Sequence, residues 1–408
     1  MNTMAPSLPF SPRLLAAAPH RLLFFVGAAN VLLAMGWWAS WLAAARWQLL
    51  PMPQPPIPAG WGHAFVMTYQ VLTPFIFGFL LTVFPRWMGL PALTRWQYVP
   101  VGLGLFGGQG LTLAGLWGYP HLLHVGVVFT LAGWVAGMCF LFGLLWREHA
   151  RTWHALSAFA ALGLGLAGLL LFAGWLHGAE ARWVFASFKL GMLGLLLPVY
   201  FTVCHRMLPF FAGCVLPGYR SFRPMWMLGA FWALALLHLA LELAHGYAWL
   251  WLADLPLAAL AATLLWRWWP RAPMPGLLRV LFIGFAWLPL AMLLYSAQSL
   301  WFLASGEFAL GRAPVHALAV GFFGSLLVAM VTRVTQGHSG RPLEMPATAW
   351  FAFAAVQVLA LMRIVGEVLP DYGAWQALAA AGWLLAFAPW VLRSLGIYLS
   401  PRADGKAG

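Results

Sequence analysis

Twelve long apolar segments follow one another along this sequence. Each holds about 20 or more mostly apolar residues, the length that a helix needs to cross the hydrocarbon core of a bilayer. Of the 408 residues, 63% are hydrophobic and only 8% are charged. A soluble domain of this size has too little interior to bury so much apolar surface. The chain is therefore predicted to be an all-α, polytopic membrane protein whose main partner is the lipid bilayer.

The segments predict a single transmembrane domain over residues 1–408, because the connections are too short to hold a soluble domain. The twelve predicted spans are 22–45, 63–85, 98–117, 121–146, 154–176, 183–204, 225–245, 247–268, 276–303, 313–334, 347–369 and 374–399. The proline-rich connection 46–61 is predicted to be an ordered, extended cap rather than a helix. Residues 400–408 are predicted to form a loose tail.

The basic residues predict the orientation of these spans. With the N-terminus in the cytoplasm, 17 of the 22 lysines and arginines fall on the cytoplasmic side. Only Arg46, Arg182 and Arg312 fall on the opposite side, while Lys189 and Arg363 lie inside spans. Positive charge accumulates on the cytoplasmic side of membrane proteins, so both termini are predicted to be cytoplasmic. The same distribution accounts for the net charge of +13, and no basic stripe suited to nucleic acid is left.

His63 and His316 are the strongest candidates for a functional site. Each begins an inward-running span at a similar depth near the outer surface, and a ring nitrogen in a bilayer must find a partner. Two neutral imidazoles from two helices suit the two axial positions of a haem iron. Arg312, one turn before His316, could pair with a haem propionate. The alternative for any single histidine is a hydrogen-bonded residue at the membrane interface.

A second group of candidates lies at the end of the seventh span. His238, Glu242 and His245 follow i, i+4, i+7 spacing and would share one face of a helix. Two imidazoles and a carboxylate suit copper, iron or zinc. The alternative is a polar helix face bridged by water. His121 and His124, at i, i+3 spacing, are a weaker pair of metal candidates that could simply cap a helix start.

The inner ends of three spans resemble one another. The second closes with "LLTVFPRWMGLP", the sixth with "YFTVCHRMLPFF" and the tenth with "AMVTRVTQG". Each joins a threonine, a basic residue and a chain break, in the pairs Thr82 and Arg86, Thr202 and Arg206, and Thr332 and Arg333. The recurrence at every fourth helix predicts three four-helix units.

Three stretches carry a resemblance to a known family: "GHAFVMTYQVLTPFIFGFLLTVFPRWMG" at 62–89, "HRMLPFF" at 205–211 and "HALAVGFFGSLLVAMVTRVTQGHSGRPL" at 316–343. They resemble the NnrS family over essentially the whole chain. NnrS proteins are bacterial inner-membrane proteins that carry haem and copper and are associated with the response to nitric oxide. The resemblance implies a b-type haem, copper or another second metal, nitric oxide as ligand or substrate, and an electron donor. The residues that match the family are His63, Arg206, Pro209, His316, Arg333, His338 and Arg341.

The sequence also departs from the family pattern. Where the family has a second histidine and a glutamate just after the first histidine, Phe65 and Val66 stand here, and Phe282 replaces a histidine of the ninth span. These changes weaken the case for copper and leave the His63 and His316 pair. A broader likeness is to the catalytic subunit of haem–copper oxidases, whose second and tenth helices carry haem ligands and whose sixth and seventh helices hold the second metal.

Three functions fit these observations. The first is a haem-binding redox protein of nitric oxide or nitrosative-stress metabolism, an oxidoreductase if it turns over. The second is a sensor or buffer that binds haem or nitric oxide without turnover. The third is a twelve-helix transporter of copper or another solute. Transporters usually place a binding site near the midplane, whereas the polar residues of this chain gather in the outer third.

Overall fold

The computed structural model describes residues 10–405, and in that part of the chain it contains twelve helices that are long and apolar enough to cross a membrane. They are α1 (Pro19–Trp47), α2 (Ala59–Met88), α3 (Arg95–Leu116), α4 (Pro120–Arg147), α5 (Trp153–Leu176), α6 (Ala181–Val215), α7 (Met225–Leu243), α8 (Tyr247–Trp268), α9 (Gly276–Ser305), α10 (Ala313–His338), α11 (Ala347–Val365) and α12 (Tyr372–Tyr398). The described residues form no strand. The predicted all-α, multi-pass membrane fold is thus confirmed.

Helices α2 and α10 lie at the centre of the bundle. Their apolar windows are 89% and 83% buried inside the protein, whereas that of α7 is only 33% buried and faces outward. Helix α6 joins the two central helices. Its Tyr200 ring packs against Phe323 of α10 with ring centroids 4.6 Å apart, and Tyr69 of α2 donates to the Ser187 carbonyl at 2.5 Å. The three helices with similar inner ends therefore meet in the middle of the molecule.

The same three helices share a local distortion. Each contains a π-helical stretch, at Met67–Val71 in α2, Leu190–Leu196 in α6 and Ala317–Gly324 in α10. Pro74 and Pro198 follow the first two stretches. A proline cannot donate to the preceding turn and clashes with its carbonyl, so a wider turn is favoured there. The recurrence at every fourth helix supports the predicted three-unit organisation, and π-turns of this kind are frequent at functional sites.

The two ends of the bundle differ in character. We call the end with His63 and His316 the His63 face, and the opposite end the Arg341 face. At the His63 face, Arg46 binds Asp371 through two contacts of 2.8 and 2.5 Å, which connects the end of α1 to the start of α12. This guanidinium holds the pKa of the Asp371 carboxyl below its usual range.

The segment after α12 is held to the bundle as far as the structure describes it. The backbone N–H of Ala403 donates to the carbonyl of Ser339 at 2.9 Å, and Arg402 Nη1 donates to the carbonyl of His338 at 2.9 Å. The predicted loose tail is therefore anchored over residues 400–405. Residues 406–408, with Lys406, lie outside the described residues, as do residues 1–9.

Candidate functional site

A cleft at the His63 face contains both of the histidines that the sequence singles out. It lies between α1, α2, α10, α11 and α12, and its empty volume is about 820 Å³ with the open mouth included. His63 and His316 both line it, together with Arg312 and Arg363. The remaining lining residues are apolar side chains and glycine, apart from Gln376. Hence the structure brings three predicted site residues, His63, His316 and Arg312, into one space.

His63 is positioned by an aromatic stack. It lies in the second turn of α2, and its ring stacks on that of Trp38 from α1, with centroids 4.3 Å apart and an interplanar angle of 12°. Neither ring nitrogen makes a hydrogen bond with another residue between Phe10 and Gly405. The ring plane is thus fixed by Trp38 while the nitrogens stay available to a ligand.

His316 is positioned by a backbone hydrogen bond. Its Nδ1 lies 2.9 Å from the carbonyl oxygen of Arg312, one turn earlier. A carbonyl only accepts, so Nδ1 carries the proton and Nε2 has the free lone pair. The Arg363 guanidinium donates to that Nε2 from 3.2 Å. A hydrogen bond such as that from Nδ1 to the Arg312 carbonyl, which fixes the tautomer of the ring, is typical of metal-binding histidines.

Arg363 and Glu367 form a buried ion pair beside His316. Arg363 Nη2 donates to Glu367 Oε1 at 2.8 Å, and the two side chains are only 9% and 5% exposed. The other carboxylate oxygen accepts the backbone N–H of Arg312 at 3.0 Å. Glu367 therefore holds Arg363 and the start of α10 in place together.

Two hydrogen-bond donors at this cleft have no protein partner. Arg363 Nη1 and Trp383 Nε1 are both buried, and neither bonds any described residue. A buried donor without a partner costs about 1–3 kcal/mol and calls for an explanation such as a ligand. A guanidinium and an indole N–H next to two histidines would suit an anionic, metal-containing group.

Sequence reasoning missed the roles of Arg363 and Glu367. The available signal was a charged residue inside a predicted span, which is a functional candidate by default, with a carboxylate four residues later. Arg312 lines the cleft, and its backbone carbonyl is the part that orients His316.

The seventh-span candidates have different surroundings. Helix α7 ends at Leu243, so His245 lies beyond it with a left-handed φ of 57° and bonds Tyr247 Oη at 3.0 Å. His238 and Glu242 do lie together, with His238 Nε2 3.8 Å from Glu242 Oε1. The structure therefore brings together two members of the predicted trio and separates the third.

Two further charged residues complete the group around His238. Asp254 of α8 lies 2.5 Å from His238 Nδ1, and Lys189 of α6 forms an ion pair with Glu242 at 3.2 Å. Lys189 also donates to the backbone carbonyl of Glu242. Between Phe10 and Gly405, no three His, Cys, Asp or Glu side chains converge as they would around a metal ion. The Glu242 carboxylate is instead neutralised by the Lys189 ammonium group.

The two histidines of α4 lie away from the cleft. His124 Nδ1 lies 3.3 Å from Nε2 of His177, which follows α5, while His121 is exposed. Neither lines the cleft.

The other residues that carry the family resemblance lie at the Arg341 face. The Arg206 guanidinium lies over the Trp87 ring at 4.3 Å, and that of Arg333 over Phe211 at 3.9 Å. Pro209 is buried inside α6. These cation–π contacts account for Arg206 and Arg333 as packing residues of the helix ends at the Arg341 face. His338 and Arg341 lie close by, at the end of α10 and just after it.

The sequence matches a known protein family. The sequence model of the family described as NnrS protein matches residues 14–402, nearly the whole chain. No curated protein matches the sequence at a significant level.

Proposed function

The chain belongs to the NnrS family, and we propose that it is a haem-binding redox protein of the bacterial inner membrane that acts on or responds to nitric oxide. His63 and His316 would hold the haem iron in the cleft between α2 and α10. The observation that carries this proposal is the presence of both histidines and two unpartnered buried donors in one cleft.

The residues of the cleft fit a haem group. His63 offers unbonded ring nitrogens and His316 offers an unprotonated Nε2, from two different helices, so the two imidazoles would hold one iron. Arg363 Nη1 and Trp383 Nε1 are unpaired donors, and Arg312 adds a second guanidinium at the mouth, as two propionates would need. The apolar walls supply the environment that a macrocycle prefers.

The side chains around the proposed haem would have different roles. Bound haem would supply an iron that changes oxidation state; because both histidines would occupy that iron, nitric oxide could bind it only in place of one of them. The Arg312 carbonyl keeps His316 in the tautomer that presents Nε2. Arg363 now donates to that nitrogen, so its guanidinium would have to move toward a propionate when a ligand enters. Trp38 keeps the ring plane of His63 fixed.

A sensor or buffer without turnover is the second candidate, and one observation favours it. Reduction of nitric oxide needs a place for a second molecule, and the haem–copper oxidases that the chain resembles provide such a place at a second metal. Here Glu242 is bound by Lys189, and a carboxylate neutralised by an ammonium attracts a metal cation less strongly. Copper or another second metal at His238 and Glu242 would require Lys189 to leave.

Absorption spectra of the purified protein test the proposal. We expect oxidised and reduced spectra of a low-spin, b-type haem, with about one haem iron per chain. Metal analysis of the same sample measures copper, and nitric oxide consumption with an added reductant separates an enzyme from a sensor. Protein that is folded but binds no haem, after expression with a haem precursor, would contradict the proposal.

We also propose that both termini and the Arg341 face are cytoplasmic. The support is the excess of arginine at that face. Reporter tags at either terminus should be active only in the cytoplasm, and a tag within residues 48–58, between α1 and α2, should be active only in the periplasm. A periplasmic C-terminus would reverse the orientation and place the haem cleft at the cytoplasmic surface.

A further inference from the structure

Five arginines gather at the Arg341 face, around the end of α10. This arginine cluster consists of Arg21, Arg86, Arg341, Arg393 and Arg402. Two histidine rings lie among them, His20 and His338, with centroids 4.3 Å apart. Arg86 Nη1 donates to His338 Nε2 at 3.1 Å, since Nδ1 of that ring is bound to the Val334 carbonyl. The cluster thus joins α1, α2, α10, α12 and the segment beyond α12.

The arginines are held mainly by neutral groups. Arg393 Nη2 donates to Gln336 Oε1 at 3.3 Å, and the backbone N–H of Arg341 donates to the Gln336 carbonyl at 3.1 Å. Arg21 donates to the carbonyls of Ile397 and Ser400 and is only 5% exposed. These bonds fix the guanidinium groups of Arg393 and Arg21 and the backbone of Arg341 without neutralising any of the three charges.

The positive charge of the cluster is largely uncompensated. Asp404 pairs with Arg402 at 2.6 Å, and among the described residues it is the one carboxylate in an ion pair with this cluster. Arg341 lies close enough to Arg21 and Arg393 for their charges to repel. Residues that serve only to orient a helix can remain in water. Here Arg86 is exposed, whereas Arg21 is buried and Arg341, Arg393 and Arg402 are half-buried.

Two polar atoms in the cluster have no partner. Arg341 Nη1 and His20 Nδ1 are buried and bond no described residue. His20 is only 7% exposed. Burial lowers the pKa of the Arg341 guanidinium from its ordinary value, as expected for a cation that has lost water without gaining a counterion. A buried unpaired group in a native protein calls for an explanation, such as water, an ion or a ligand that completes the site.

We propose that the arginine cluster binds the phosphate group of an anionic phospholipid. Guanidinium groups bind phosphate through paired, charge-assisted hydrogen bonds. The cluster lies at the ends of membrane-spanning helices, where lipid headgroups lie, and basic pockets between such helices bind anionic headgroups. This site is separate from the haem cleft and does not depend on the function proposed for it.

Lipid binding to the full-length protein tests the proposal. Delipidated protein in neutral detergent would receive phosphatidylglycerol, phosphatidylcholine or inorganic phosphate, and bound lipid and thermal stability would be measured. Phosphatidylglycerol should bind and raise the melting temperature, whereas phosphatidylcholine should not. Arg341→Gln should weaken phosphatidylglycerol binding about fivefold, the loss expected for one basic residue. Arg147→Gln is the matched control, because Arg147 is exposed at the end of α4 on the same face.

The arms of the experiment separate the sources of phosphate. Stabilisation by inorganic phosphate alone, lost in Arg341→Gln, would support a phosphate site and assign it to a soluble ligand instead of a lipid. Equal binding of the two lipids, or equal loss in Arg341→Gln and Arg147→Gln, would overturn the proposal. Arg341→Lys keeps the charge and should retain part of the phosphatidylglycerol binding. That result would show that the weaker binding of Arg341→Gln does not come from misfolding.

Discussion

His316→Ala and His63→Ala are each expected to lose haem or to convert it from low-spin to high-spin. An iron held by two imidazoles is low-spin when oxidised, and removal of one ligand opens a coordination position. Both histidines line the same cleft, and His316 is held by the Arg312 carbonyl with Nε2 free of a proton. The measurements are the haem content per protein and the oxidised absorption and electron paramagnetic resonance spectra.

Two control variants match these substitutions. His124 lies at the same face as His63 and His316, but it bonds His177 and does not line the cleft. The haem spectrum of His124→Ala should therefore not change. Arg341→Ala alters the opposite face and should also keep its spectrum. A full low-spin spectrum in folded His316→Ala protein would disprove the ligand assignment. His121, His124 and His245 would then be the next candidates, although none of them lines this cleft.

The fold was predictable because a bilayer imposes one strong requirement on each helix. A span must be apolar over about 20 residues, so hydropathy alone gives the number and the approximate ends of the helices. The ends differ by a few residues where the flanking sequence is polar. Helix α2, for example, begins at Ala59 instead of residue 63, which places His63 inside the second turn.

The site was only partly predictable, because partners from other helices are invisible in the sequence. The i, i+4, i+7 spacing assumed that the helix continues through His245, but the chain turns at that point with a positive φ. Asp254 and Lys189, which pair with His238 and Glu242, come from α8 and α6. In the same way, nothing in local spacing predicts that Arg363 of α11 would reach His316 of α10.

The recurring π-helical stretches in α2, α6 and α10 relate the His63 and His316 pair to the group around His238. A basic residue lies on the His63-face side of each π-helical stretch: His63 in α2, Lys189 in α6 and His316 in α10. In two units that residue is a histidine and both histidines line one cleft. In the middle unit it is a lysine, which pairs with Glu242. The position before the π-helical stretch thus carries a basic residue in all three helices, and the proposed haem ligands would occupy two of these positions.

Arg363→Ala is expected to destabilise the protein and to reduce haem binding. It removes one partner of a pair whose side chains are 9% and 5% exposed, and leaves the Glu367 carboxylate buried without its counterion. Breaking a buried ion pair from one side typically costs about 3–5 kcal/mol. Yield, thermal stability in detergent and haem content per folded protein should all fall.

A double variant separates the two effects. Arg363→Met with Glu367→Gln replaces the pair by neutral groups of similar size and keeps an acceptor for the Arg312 N–H, so most of the stability should return. Haem affinity should stay low, because Arg363 Nη1, the unpaired donor that would bond the proposed haem, is missing in both variants. If the double variant bound haem as tightly as the unmodified protein, Arg363 would be a structural residue only. If Arg363→Ala alone lost no stability, the ion pair with Glu367 would contribute little, and the position of α10 would have to depend on other contacts.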